Sequence, residues 1–105
     1  VLMSASDNGP CEDIILGFGG QSGIDYDEIF FKVDGNGGCG AAATPNQICH
    51  YKPVGGFVPG EWYFVSASMD YNNQVAKLII QDEAVDTKTV TVTPITRVLP
   101  FGMGW

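Results

Sequence analysis

The clearest alternation in the chain runs from Trp62 to Met69, where Val65, Ala67 and Met69 fall on one side and Phe64, Ser66 and Ser68 on the other. That is the two-residue period of a strand with one buried face; a helix would scatter the same side chains around its surface. Asp70-Tyr71-Asn72-Asn73 follows with residues that tolerate turn geometry, and Ala76, Leu78 and Ile80 then resume the alternation. The pattern predicts a hairpin whose second strand folds back beside the first. Elsewhere, short apolar or alternating runs recur between Gly-, Pro- and Asn-containing turns, and no segment sustains a helical period. Eight strands are expected: Leu2–Ser6, Ile14–Phe18, Ile29–Asp34, His50–Lys52, Trp62–Met69, Val75–Gln81, Thr89–Thr93 and Val98–Phe101. In the seventh, Val90 and Val92 face in and Thr89, Thr91 and Thr93 face out. Short strands at this spacing predict one all-β domain over residues 1–105, a sandwich or barrel.

Composition narrows the partners. A chain of 105 residues can bury one core, and its 14 glycines and 6 prolines supply frequent turns. The net charge is −7, and the five basic residues, Lys32, Lys52, Lys77, Lys88 and Arg97, are scattered. Phosphate backbones are held by clustered Lys and Arg, so nucleic acid is not an expected partner. Anionic membrane surfaces are disfavoured for the same reason, while divalent cations are favoured. No apolar run approaches the roughly 20 residues of a spanning helix, so no membrane insertion is expected.

The segment Pro59–Val85 carries a more specific pattern. Gly60-Glu61-Trp62 leads into an alternation ending at Met69-Asp70, then a short polar loop and Lys77-Leu78-Ile79-Ile80. This order resembles the central hairpin of laminin-G-like domains, the concanavalin-A-like jelly rolls. Leu2 to Asp7, Ile14–Phe18, Glu28–Val33 and Leu99–Gly104 are similar to the family's outer strands and occur in the same order. Gln81-Asp82-Glu83 departs from the pattern, since the family places a Gly in that turn and Asp adopts a left-handed conformation less readily. The resemblance implies an antiparallel β-sandwich of jelly-roll type. The chain is shorter than a full domain of that kind. It therefore reads as a compact member, as a piece of a longer polypeptide, or as a subunit whose open sheet edges, at Val1-Leu2-Met3 and Val98–Phe101, are completed by another copy.

Laminin-G-like domains commonly bind calcium at the rim of the sandwich, so the resemblance also raises a metal site. Asp7 and Asp70 match the family's motif positions, and both also suit turn capping. Asp25, Asp27 and Glu28 cluster in one predicted loop, with Asp34-Gly35-Asn36 in another, and calcium takes six to eight such oxygens.

Of the three cysteines, Cys39 and Cys49 flank a Gly/Ala/Pro-rich loop that a disulfide would tether, placing the chain in an oxidising, extracellular compartment. The alternative is two buried thiols, and Cys11 is left over. The Cys39-x9-Cys49-His50 spacing is too long for zinc.

Catalytic patterns are thin. Concanavalin-like glucanases carry a Glu-x-Asp-x-x-Glu strand, and Asp25-Tyr26-Asp27-Glu28-Ile29-Phe30 lacks the third carboxylate. His50 is the lone histidine, and Ser66 and Ser68 lie on a plain strand with no nucleophile elbow. Gly17-Phe18-Gly19-Gly20 and Gly35-Asn36-Gly37-Gly38 precede no helix and no Lys-Ser/Thr pair, so they read as turns rather than phosphate loops.

Sugar contacts use exposed aromatics with amide and carboxylate neighbours. Tyr26 and the hairpin tip Tyr71, Asn72 and Asn73 are the candidates, with Tyr51 and Phe57 behind them; Trp62 is expected in the core. The expected function is a non-catalytic, extracellular, glycan- or protein-binding adhesion module, a homo-oligomer or part of a larger assembly. The alternatives are a structural subunit of a filament, sheath or shell, and a glycosidase fragment lacking its acids.

Overall fold

The computed structural model describes residues 2–5, 14–19, 23–33, 47–92 and 101–103. These residues form β1 (Met3–Ala5), β2 (Ile14–Phe18), β3 (Ile29–Val33), β4 (Cys49–Tyr51), β5 (Val65–Asp70), β6 (Val75–Ile80), β7 (Glu83–Thr89) and β8 (Phe101–Met103). All pairings are antiparallel. One sheet has the order β4-β3-β2-β1-β8 and the other the order β5-β6-β7. The architecture is thus all-β, two sheets of consecutive strands with β8 returning beside β1; this order does not by itself display a jelly roll.

The sheets face each other across one core. Leu16 of β2, Ile29, Phe31 and Val33 of β3 and Cys49 of β4 meet Ala76, Leu78 and Ile80 of β6 and Val90 beyond β7. Val65, Ala67 and Met69 of β5 pack against this cluster. They pair with Ile80, Leu78 and Ala76 in register, so the inner face follows directly from the alternation in both strands. Removing a fully buried side chain such as that of Leu78 from water contributes about 1.5–3 kcal/mol. β3 is buried on both faces: Phe30 points away from the core into a second cluster with Ile24 and Ile48, against which Ile15 packs.

Three expectations are corrected. Of the two expected edges, the N-terminal one is not open, because β1 lies inside its sheet and pairs with β8 through Met3↔Met103, Ser4↔Gly102 and Ala5↔Phe101, whereas β8 itself is the outermost strand. The strand expected over Thr89–Thr93 lies earlier, as β7, because a two-residue turn at Gln81-Asp82 returns the chain at once beside β6. Val90 and Val92 nevertheless face inward as expected, through Gln74 rather than a ladder: Val90 N–H donates to Gln74 O (2.9 Å), and Val92 N–H to Gln74 Oε1 (2.8 Å). Finally, the strand expected to begin at Trp62 begins at Val65, and Trp62 is 95% exposed rather than in the core.

Candidate functional site

One end of the sandwich carries an aromatic rim. β2 ends there at Phe18, β3 starts at Ile29 and β4 ends at Tyr51, paired in register. In the other sheet β5 starts, β6 ends and β7 starts at the same end, with Val65↔Ile80 and Ile80↔Glu83. Contacts knit the loops together. Phe57 stacks edge-on against Phe18 (ring centroids 5.5 Å) and against Tyr63 (5.0 Å). The Lys52 ammonium spans both oxygens of Asp27 at 3.2 and 3.0 Å, joining the loop after β4 to the turn before β3. Phe64 N–H donates to Gln81 Oε1 (3.0 Å), and Gln81 N–H to Phe64 O (2.9 Å), joining the approach to β5 to the β6–β7 turn.

Local chemistry explains why these loops hold their apolar residues outward. Pro53–Gly56 closes by Gly56 N–H to Pro53 O (2.8 Å), with Gly55 at φ 83°, so Val54 stands at the corner of a tight turn. Val58–Glu61 closes in the same way, with Pro59 and Gly60 (φ 85°) at the central positions that a type II turn prefers. Tyr63 turns inward and its hydroxyl accepts Val58 N–H (2.9 Å), which leaves its chain neighbours Trp62 and Phe64 pointing away from the core. Trp62 is 95% and Phe64 62% exposed. Gly19 sets the neighbouring turn: a Cβ there would lie 2.2 Å from Tyr26 Cα, and only hydrogen fits. Among the described residues seven large hydrophobic side chains are exposed: Phe18, Tyr26, Val54, Val58, Trp62 and Phe64 belong to these loops and strand ends, and Leu2, just before β1, lies at the same end of its sheet, beside the end of β2. The rim is also acidic. Asp25, Asp27, Glu61, Asp82 and Glu83 are exposed there, and Lys52 is the one base in these loops.

Of the residues singled out from sequence, Tyr26 belongs to this rim and is 88% exposed. Tyr71, Asn72 and Asn73 lie at the opposite end, in the β5–β6 loop, so the fold does not bring the two sugar-contact groups together. Tyr71 is half-buried against the core. Asn72 and Asn73 serve the loop itself, donating their N–H groups to Asp70 Oδ1 at 3.0 and 3.1 Å, with Asn73 Nδ2 on Asp70 Oδ2 at 2.7 Å. Tyr51 and Phe57 pack against the core cluster.

The calcium candidates are likewise separated. Asp25 and Asp27 sit at the rim and Asp70 at the far end. Asp27 is bound by Lys52, and Asp70 caps its own loop, where the Asn73 side chain and the loop amides hold its carboxyl below its ordinary value. Asp25 and Asp27 thus stand apart from Asp70, and among the described residues no three His, Cys, Asp or Glu stand close enough to hold a metal. Asp7 lies outside the described residues, as do Cys11 and Cys39. Cys49 is a buried thiol whose Sγ donates to Ala76 O (3.3 Å); the expected bridge to Cys39 falls on a residue outside those described. Burial, with the Asp86 carboxylate adding to it, pushes this thiol up to about 11.

A polar cluster lies along the β4 margin. His50 Nδ1 is 3.2 Å from Glu28 Oε1, and the Glu28 carboxylate also accepts Asp25 N–H (2.9 Å). Asp86 of β7 accepts the edge amide of His50 (2.9 Å) and is 3.5 Å from the Lys88 ammonium. Its register opposite Leu78 turns it inward from an outer strand, and it closes the seam between the sheets. Ser66 and Ser68 face away from this cluster, on the outer side of β5. The exposed Trp62 and the inward Asp86 were both missed by sequence reasoning. The two tight turns flanking Val54 and Val58 were the available signal for the first, and no local signal marks the second. Comparison with protein-family models, curated proteins and solved structures gives no match.

Proposed function

We propose that the chain is a non-catalytic binding module working outside the cell, compact and laminin-G-like, that meets a glycan or an extracellular protein with its aromatic rim. The observation that carries this reading is the exposure of Trp62 beside Phe64 at the end where the other exposed apolar side chains gather. Apolar surface returns about 25 cal/mol for each Å² removed from water, and buried Trp side chains dominate contact energetics. A soluble chain that keeps such side chains outside on rigid turns has a surface suited to a partner. The resemblance in strand order and in the Gly60-Glu61-Trp62 hairpin adds to this reading. The alternative of a filament, sheath or shell subunit would have to use β8, the outermost strand of its sheet, since β1 is internal and Asp86 binds the edge of β4.

The test is binding of the native chain and of a Trp62→Ala, Phe64→Ala double variant to panels of immobilised glycans and extracellular-matrix proteins. The native chain should retain at least one ligand that the variant loses, with the melting temperature preserved because both side chains are outside the core. Retention that is indifferent to the double substitution, or no retention at all, would overturn the proposal.

A further inference from the structure

Resting on the reading of the rim as a binding surface, we infer that its partner is a basic protein segment, an extended stretch bearing Lys or Arg, rather than a neutral or anionic glycan or a second copy of this chain. Charge complementarity carries the inference. The aromatic side chains Tyr26, Trp62 and Phe64 share the rim with the exposed carboxylates of Asp25, Asp27, Glu61, Asp82 and Glu83. Among the described residues the single base there, Lys52, is already engaged by Asp27 at 3.0 Å. Phe64 and the β6–β7 turn are hydrogen-bonded to each other, so Asp82 and Glu83 follow immediately from the residue that holds the Phe64 backbone.

A cation over an indole face is attracted by the ring quadrupole, and Trp is the strongest such partner among the aromatics. The neighbouring carboxylates supply the charge-assisted hydrogen bonds that a guanidinium takes in pairs. An anionic glycan would meet four carboxylates besides the Lys52–Asp27 pair. A second copy docked rim to rim would bring the same four against their equivalents, and like charges in contact oppose association. A neutral sugar would stack on the rings and donate hydroxyl hydrogen bonds to carboxylates, but would leave their charge unbalanced. A Lys- or Arg-bearing segment uses both, and the spread of the site over three loops suits a chain of several residues rather than a single small cation.

The experiment is calorimetric titration of the native chain with hexa-arginine, with hexaglutamate and cellohexaose as comparators, in about 20 mM and about 200 mM salt, since exposed charges are screened over about 10 Å at 0.1 M. Hexa-arginine should bind and weaken severalfold at the higher salt. Trp62→Ala should weaken it about threefold to tenfold, with Trp62→Phe restoring part of the loss. An Asp82→Asn, Glu83→Gln variant, which keeps an amide suited to the left-handed turn, should weaken binding and flatten its salt dependence. Hexa-arginine binding that ignores Trp62→Ala, or hexaglutamate binding as tightly, overturns the inference. Cellohexaose bound through Trp62 with hexa-arginine silent overturns the cationic partner while the binding-module reading stands, and silence from all three likewise overturns the cationic partner, the binding-module reading being decided by the glycan and matrix-protein panels.

Discussion

Asp82 occupies φ 64° and Gln81 φ 51°, the paired left-handed conformations of a two-residue hairpin turn in which Asn-Gly is the favoured sequence. Left-handed backbone costs an ordinary residue about 1–2 kcal/mol, whereas Gly adopts it freely and loses about 0.5–1 kcal/mol through its looser unfolded state. Asp82→Gly is therefore expected to stabilise the fold by roughly 0.5–1 kcal/mol, raising the melting temperature by several degrees. A melting temperature that falls would show that the Asp82 side chain contributes more than its backbone strain. Gln81 is the wrong place for the same change, because its side chain holds Phe64 N–H. Cys49 provides a second residue-scale expectation. With its thiol raised to about 11, only about one molecule in a thousand carries the thiolate at pH 8, and the sulfur is buried. Iodoacetamide should leave Cys49 untouched in the native chain and modify it in guanidinium without reductant. A requirement for reductant would establish a bridge, to Cys39 or Cys11.

At the scale of elements, the β5–β6 hairpin reaches past its own sheet. Gln74, at φ 56°, uses its side-chain amide as a strand would: Nε2 donates to Tyr71 O (2.8 Å) and Val92 O (2.9 Å), while Oε1 accepts Val92 N–H. This clamp holds the chain after β7 where Val90 enters the core. Gln74→Ala leaves those half-buried groups unsatisfied and keeps the backbone strain, and should destabilise the protein by about 2–3 kcal/mol in urea unfolding. Gln74→Gly should cost less, since it releases the strain; equal losses would mean that strain has no part. The hairpin itself was legible, because alternation in Val65–Met69 and Ala76–Ile80 fixes which face is buried. Its start was not. The apolar-polar pattern runs unbroken back to Trp62, and only the turns around Gly55 and Gly60 decide that residues 61–64 lie outside the ladder.

For the whole molecule, the polar cluster at the β4 margin links stability to pH. Burial acts to raise the Glu28 carboxyl, but the Asp25 amide, His50 and Lys52 outweigh it and hold it below its ordinary value of 4.5. A group lowered in the folded state contributes stability that is fully present above its unfolded value and is lost as pH falls through the folded one. Urea midpoints of the native chain should thus decline below about pH 4.5, and those of Glu28→Gln should start lower and decline less. Parallel curves would exclude Glu28 as a source of acid sensitivity. The sandwich as such was legible, since eight short strands with two-residue periods have few ways to bury one face each. That the two terminal runs pair with each other was not, because register between strands some hundred residues apart is set by the sheet that gathers them.

By itself the sequence determined local properties: which residues alternate, where Gly, Pro and Asn turn the chain, and a net charge of −7 with five basic residues scattered along it. Those properties depend on side chains within a few positions of one another. The tertiary structure alone decided that Tyr26 and Tyr71 stand at opposite ends, that Asp86 closes a seam with a strand far back in the chain, and that Trp62 faces solvent. Burial and pairing depend on what lies across the core, and the pattern along one strand carries no record of that neighbour.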